Sequence, residues 1–222
     1  AAEPIAHTAM AGLLSLARRL PYFAERQRKH LWERLPRALI AEDLSNQTLV
    51  IYGMGTIGGE LARLARAFGL YVIGIRRNPQ TEHDGADEVV HPEMFDLVLR
   101  RTNWLAITAN LTNQTRGAIS AARLDLLPIG AHVINVARGA ILDQDALIAR
   151  LQSGAIGGAY LDVFETEPLP SDSLLWDLPN VIITPHTSWS AKGNAERARA
   201  IFLNNLESWL DNGTLVTEVH ER

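Results

Sequence analysis

The sequence predicts a doubly wound α/β sheet. Three observations carry that expectation: short apolar, β-branched runs that alternate with helical patterns, a glycine-rich turn between the first of these runs and its helix, and polar residues just past the ends of several later runs. Runs joined by helices of about 10 to 15 residues pair in parallel through right-handed crossovers. The 222 residues are 47% hydrophobic, enough to fill a core. A formal net charge of -4 argues against nucleic acid or an anionic membrane as the main partner. The absence of cysteine excludes disulfides, thiolate chemistry and cysteine metal sites. No run of about 18 apolar residues and no signal peptide are recognisable, so a cytoplasmic protein is expected. The chain opens on "AAEPIAHTAM", without Met and already in a helical pattern, and reads as a piece of something longer.

In order, residues 3–20 carry apolar side chains at helical spacing and stop before Pro21. A second amphipathic helix is expected within 22–35, then a polar break, "AEDLSNQ". "TLVIYG" (48–53) is a buried strand, and "TIGGELARLARAFG" (56–69) a helix capped by Gly69. "YVIGI" (71–75) and the short "DEVV" (87–90) are strands. "HPEMFDLVLRRT" (91–102) is a helix with Pro92 in its first turn. "WLAIT" (104–108) is a strand, "SAARLDLLP" (120–128) a short helix and "HVINV" (132–136) a strand. "DQDALIARLQSG" (143–154) is a helix from the N-cap Asp143 to the stop at Gly154. "IGGAYLDV" (156–163) and "VIIT" (181–184) are strands, and residues 190–211 form a last helix closed by "DNG".

Gly53, Gly55 and Gly58 fit G-x-G-x-x-G between a strand and a helix, the context a dinucleotide fingerprint requires. Gly53 permits the tight turn, Gly55 lets backbone approach a pyrophosphate, and Gly58 lets the helix pack close to the strand. The helix N-terminus then faces the phosphates. Where an acid for the ribose hydroxyls is usual, the second strand ends in Arg76 and Arg77. A guanidinium offers a fork of donors matched to phosphate oxygens, so the pair favours NADP(H) over NAD(H), with NAD(H) still possible. Asn78 could add a hydrogen bond. Taken alone, these would also pass as turn glycines and solvated loop arginines.

Arg138 ("INVARGAIL"), Glu167 ("LDVFETEPLP") and His186 ("IITPHTSWS") each follow an apolar strand. In an open α/β sheet the carboxyl ends of the strands line the ligand crevice, so all three share an edge with the glycine loop. An arginine clamps a carboxylate and polarises a neighbouring carbonyl, and a histidine moves a proton near neutral pH. A carboxylate beside that histidine would fix the ring and favour its charged form. With a nicotinamide as hydride carrier this is a site for 2-hydroxy acid/2-keto acid redox. Glu165 competes with Glu167 for the carboxylate role.

The chain resembles the D-isomer-specific 2-hydroxyacid dehydrogenases. The blocks that carry the resemblance run in order through nearly the whole chain: "IAHTAMAGLLSLARRLP" (5–21), "GMGTIGGELARLARAFG" (53–69), "LTNQTRGAIS" (111–120), "INVARGAILDQDAL" (134–147), "GGAYLDVFETEPLP" (157–170) and "LWDLPNVIITPHTSW" (175–189). The resemblance implies a Rossmann-type coenzyme domain with Arg138 on the substrate carboxylate, His186 as proton donor and acceptor, and Glu167, rather than Glu165, as its partner. It implies pyrophosphate contacts from the Thr56 and Ile57 backbone, a cofactor wall of Thr115 and the Val136–Ala137 backbone, and a bond from Asp162 to the nicotinamide carboxamide. Arg76, Arg77 and Trp189 resemble the NADP(H)-preferring branch that reduces glyoxylate and hydroxypyruvate. Two positions depart from the family's pattern: Asn110, on the cofactor wall, stands where a proline is usual, and His7 where a glutamate is usual.

The expected organisation is one dinucleotide-binding domain over 1–222. Residues 1–35 would form linking and dimer-contact helices, 47–189 the Rossmann core, and 190–222 the C-terminal helix and tail. Family members carry a further substrate domain ahead of these residues, so the chain is expected to bind cofactor but turn over poorly alone. The expected partners are a small 2-hydroxy or 2-keto acid and a second copy of the chain. A corepressor-like module that senses dinucleotides on the same fold is the main alternative. A dehydrogenase for phosphoglycerate or D-lactate is another.

Overall fold

The computed structural model describes residues 2–77 and 85–215; Asn78 lies outside them. Seven strands form one sheet: β1 (Thr48–Tyr52), β2 (Tyr71–Ile75), β3 (Glu88–Val90), β4 (Trp104–Ile107), β5 (Ala131–Asn135), β6 (Ile156–Leu161) and β7 (Val181–Ile183). Their order is β3-β2-β1-β4-β5-β6-β7, and every pairing is parallel. The chain runs outward from β1 to β3, then returns to the other side of β1 for β4 to β7. A crevice therefore opens between the carboxyl ends of β1 and β4, where the winding direction reverses.

The side-chain period of two divides the core between the faces. Leu49, Ile51, Val72, Trp104, Ala106 and Ile134 point to one face. There they meet α1 (Ala2–Ala17), through Ala6, Ala9, Leu13 and Leu16, and α3 (Thr56–Ala67), through Leu61, Ala62 and Ala65. Val50, Tyr52, Ile73, Ile75, Leu105, Ile107 and Val133 point to the other. That face is covered by α4 (Phe95–Leu99), α5 (Ala121–Leu124) and α6 (Gln144–Ser153), through Phe95, Leu99, Leu124, Leu147 and Leu151. Two helices stand apart from both layers. α2 (Leu20–Arg28) and α7 (Asn194–Asn212) contain no buried residue.

Several expected boundaries move, each for a local reason. The first helix ends at Ala17, because Arg19 turns left-handed (φ 55°), and Pro21 then lies in the first turn of α2. α2 begins two residues ahead of the expected 22–35 stretch, at Leu20, and ends inside it at Arg28; beyond it Leu31 and Trp32 are exposed, with no core to hold another turn. Residues 91–102 split into a 3-10 turn at Pro92–Met94 and the five-residue α4. α7 starts at Asn194 rather than 190. Asp143 and Gly154 cap α6 as expected: the Asp143 carboxylate accepts from Ala146 N–H at 2.9 Å, and Gly154 is left-handed. Among the described residues no helix is long and apolar enough to cross a membrane.

The register aligns the strand ends. Ile75 pairs with Tyr52, Tyr52 with Ile107, Ile107 with Asn135, Asn135 with Leu161, and Leu161 with Ile183. The residues that follow, Arg76, Gly53, Thr108, Val136, Asp162 and Thr184, consequently stand in one row along the carboxyl edge.

Candidate dinucleotide and catalytic site

The centre of that row is the glycine turn. Gly53 has φ 112°, and a Cβ there would lie 2.4 Å from the Ala109 nitrogen, so only glycine fits. Its carbonyl accepts the Thr108 hydroxyl at 2.7 Å, which ties the turn to the end of β4. Gly58 rests on the same carbonyl, 2.5 Å from where its Cβ would stand, so α3 starts hard against β1. Gly55 is the N-cap of α3; no side chain caps this helix, and a Cβ on Gly55 would meet open space. The first N–H groups of α3, those of Thr56, Ile57 and Gly58, have no acceptor within the helix and face outward with its positive end. A cleft of about 770 Å³ lies here, lined by Met54, Gly55, Thr56, Gly59, Glu60, Arg63, Arg76 and Gly85. The donors, the open side of Gly55 and the cleft fit a dinucleotide pyrophosphate with its ribose toward Arg76.

The two arginines divide. Arg76 lines the cleft and its N–H donates to the Val90 carbonyl. Arg77 reaches across the crevice to Gln114 Oε1 at 3.0 Å, in the loop after β4. Arg63 is held on Glu60 at 2.6 Å, and that bond keeps the Glu60 carboxyl below its ordinary range. On the far side of the loop, the Thr115 hydroxyl donates to the Asn110 carbonyl at 2.7 Å and accepts from Thr112 N–H, so it shapes the 110–115 turn from within. Val136 and Ala137 are buried, and the Ala137 N–H is taken up by Asn135 Oδ1.

The expected catalytic residues lie past β5, β6 and β7. His186 Nδ1 meets Glu167 Oε2 at 2.7 Å, with both side chains about one-third to two-fifths exposed. Because the carboxylate only accepts, Nδ1 carries a proton and Nε2 is the nitrogen left to exchange one. Glu167 is itself fixed by Phe164 N–H, which donates to Oε1 at 3.0 Å. Glu165 is engaged elsewhere: it and Gln144 exchange backbone-to-side-chain bonds at 3.3 Å at the start of α6. Geometry thereby separates the two glutamates.

Arg138 is exposed, and its Nη1 donates to the Ala137 carbonyl. The turn that carries it is set by Gly139. A Cβ there would stand 1.9 Å from the Phe164 carbonyl carbon, so the Arg138–Gly139 turn lies directly on the loop that carries Glu167. A glycine after an arginine in a strand-end turn was the signal available in the sequence, and its packing role was missed there.

Asp162 is fully buried. Its carboxylate accepts from the Thr184 hydroxyl at 2.5 Å, from Thr187 N–H at 2.9 Å and from Ser188 N–H at 3.0 Å. These donors all belong to the segment around His186, whose own φ is 50°. Direct contact with a carboxamide would require this cover to open. The role of Asp162 under the His186 loop, and the presence of Thr184 in it, were not foreseen.

A seven-stranded parallel sheet with an open glycine turn at its reversal point, and an Arg–Glu–His group on the same edge, defines a nicotinamide-dinucleotide domain of the dehydrogenase kind. The family model for the D-isomer specific 2-hydroxyacid dehydrogenase, NAD binding domain, matches residues 10–188, and the chain belongs to that family. Glyoxylate/hydroxypyruvate reductase B of Citrobacter koseri is 38% identical over 207 residues, which cover 92% of this chain. The chain spans 63% of that relative's length. A D-isomer specific 2-hydroxyacid dehydrogenase from Xanthobacter autotrophicus Py2, crystallised with NADPH and MES, superposes with a TM-score of 0.85 at 32% identity, over 99% of this chain and 88% of that one. An NADPH-dependent glyoxylate/hydroxypyruvate reductase from Sinorhizobium meliloti, crystallised with NADP and sulfate, gives a TM-score of 0.84 at 30% identity, over 96% and 66%.

Proposed function

We propose that this chain is the cofactor-holding part of an NADP(H)-dependent reductase of small 2-keto acids such as glyoxylate or hydroxypyruvate. The observation that carries the proposal is the His186–Glu167 pair at 2.7 Å on a loop that packs against the Arg138 turn. With its pyrophosphate at the glycine turn, the dinucleotide would supply or accept the hydride through its nicotinamide. The Thr56 and Ile57 N–H groups hold the pyrophosphate, and Arg76 and Arg77 take the 2′-phosphate, Arg77 by exchanging its neutral partner Gln114 for a charged one. Asn110, Thr115, Val136 and Ala137 form the wall on the nicotinamide side.

Arg138 holds the substrate carboxylate and draws electron density from the adjacent carbonyl. His186 Nε2 gives its proton to the keto oxygen as hydride reaches the carbon, and takes it back in the reverse direction. Glu167 keeps the ring oriented and balances the charge the ring carries. Asp162 serves from beneath, on the loop of His186; a contact with the carboxamide would need that loop to open and would then use the acceptor capacity that Oδ2 retains beside its one bond from Ser188. The nicotinamide dinucleotide NADP(H) is the preferred cofactor in this reading, and NAD(H) a weaker one.

Arginine, glutamate and histidine stand on an open edge, and nothing among the described residues closes over them, so water is not excluded by this chain alone. Turnover by the 222 residues is accordingly expected to be slow, because closure can contribute several kcal/mol, on the order of the effects of positioning and desolvation. Homodimerisation belongs to the same reading, supported by Leu20, Phe23, Leu31 and the fully exposed Trp32, which project from the α2 region. The test is NADPH oxidation by the whole enzyme with glyoxylate, hydroxypyruvate, phosphohydroxypyruvate or pyruvate as acceptor. Preference for either of the first two supports the assignment; use of a phosphorylated acid or pyruvate alone rejects it.

A further inference from the structure

The loop that bears His186 is held in an unusual shape by groups that no reaction step uses. His186 is a non-glycine residue in the left-handed region, φ 50°. Such a conformation is strained and persists only where the surroundings over-determine it. The surroundings here are specific. His186 N–H donates to the Asp162 carbonyl at 2.8 Å, while the Asp162 carboxylate takes the N–H groups of Thr187 and Ser188. The third donor to that carboxylate is the Thr184 hydroxyl, and Thr184 Oγ1 is in turn 2.6 Å from the Tyr160 hydroxyl. Since the Thr184 proton points to Asp162, Tyr160 must be the donor to Thr184. The result is one directed chain, Tyr160 to Thr184 to Asp162, ending on the segment that carries the imidazole.

We propose that Tyr160 and Thr184 are positioning residues whose hydroxyls, acting through the Asp162 carboxylate, lock His186 into its left-handed turn and so aim its ring. Asp162 is fully buried, and the bonds described to it come from neutral donors, so each supports a buried carboxylate that would otherwise be under-solvated. Burial pushes the Tyr160 phenol above its ordinary pKa, which keeps it a donor across the working range. The Tyr160 ring is itself held from behind. A Cβ on Gly12 of α1 would lie 2.3 Å from its Cγ, so helix and ring are in the closest contact a glycine permits. Thr8, one turn earlier on α1, reaches the Ser188 carbonyl at 3.3 Å. The first helix therefore braces the His186 loop at two points.

The activity arm of this inference rests on the reading of His186 as proton donor; the structural arm does not. Amide hydrogen exchange on the chain itself reads the structural arm. Thr184→Val keeps the shape and removes the hydroxyl; it should speed exchange at Thr187 and Ser188 by about tenfold or more, leaving amides of β1 and α3 as they were. Tyr160→Phe should act in the same direction and less, and Thr184→Ser should restore the parent rates. Unchanged exchange at Thr187 and Ser188 in Thr184→Val, or acceleration shared equally by β1 and α3, overturns the proposal. In the whole enzyme Thr184→Val should lower kcat by about tenfold or more with KM for NADPH unmoved, and Thr184→Ser should restore it. If His186→Asn abolishes turnover while the loosened Thr184→Val loop leaves kcat intact, the positioning role is wrong. If His186→Asn leaves turnover intact while Thr184→Val loosens the loop, the lock stands and the proton-donor reading fails.

Discussion

The two ends of the crevice are built differently. At the end proposed for the nucleotide, the groups on offer are backbone N–H groups at the uncapped start of α3 and two long arginines, one of them resting on the neutral Gln114. At the end proposed for proton transfer, the imidazole and its supports are tied down: His186 to Glu167, Glu167 to Phe164, and the loop beneath to Asp162. The nucleotide end can adapt, because phosphate recognition tolerates several side-chain geometries. The end proposed for proton transfer cannot, because a proton moves well only between groups already within hydrogen-bond reach.

The largest effect should come from breaking the rigid end. His186→Asn in the whole enzyme should cut kcat by about 10² to 10⁴ while the NADPH dissociation constant stays put. A parallel loss of NADPH affinity would erase the division between the ends.

A second effect concerns the strand under Arg138. His132 of β5 is buried and stacked on Trp104, with ring centroids 4.2 Å apart, and its Nε2 has no partner among the described residues. Burial, with a smaller push from Arg19, lowers its pKa to about 4. The folded value lies below the unfolded one, so the unfolded chain takes up the proton first. Stability is then full above about pH 6.5 and declines as pH falls toward about 4. Between pH 7 and pH 5 the loss should be about 2 kcal/mol, read from urea midpoints, and His132→Phe should remove that slope.

Smaller still, Arg76→Ala or Arg77→Ala should weaken NADPH by about tenfold each, near 1.4 kcal/mol, and leave NADH almost unchanged. A change in kcat instead would show that the adaptable end also steers chemistry. The smallest is Asp143→Ala, which removes the cap of α6 and should cost about 1 kcal/mol in thermal unfolding without touching NADPH binding.

How much of this was legible in the sequence follows the same division. The nucleotide end is local: Gly53, Gly55 and Gly58 lie within one turn, and the strand–turn–helix around them is a pattern of neighbours. Arg138, Glu167 and His186 were legible as strand-end residues, because the doubly wound order sends every strand end to one edge. Their supports were not. The pairing of Thr184 with Asp162 depends on Leu161 meeting Ile183 in the β6–β7 register, and the seat of Gly139 on Phe164 depends on two loops folding together. Neither leaves a trace in spacing along the chain. Where the helix expected within 22–35 ends was not legible for a related reason: helical periodicity does not show whether there is a surface to pack against.

The account depends most on three side chains meeting one ring. A crystal structure of the chain with NADP and a keto-acid analogue tests it directly. The prediction is an analogue with its carboxylate on the Arg138 guanidinium, its oxygen within about 3 Å of His186 Nε2, and its carbon facing the nicotinamide at roughly 3 to 3.5 Å. A dinucleotide seated with its pyrophosphate at the glycine turn but with Arg138 or His186 out of reach of the analogue would contradict it.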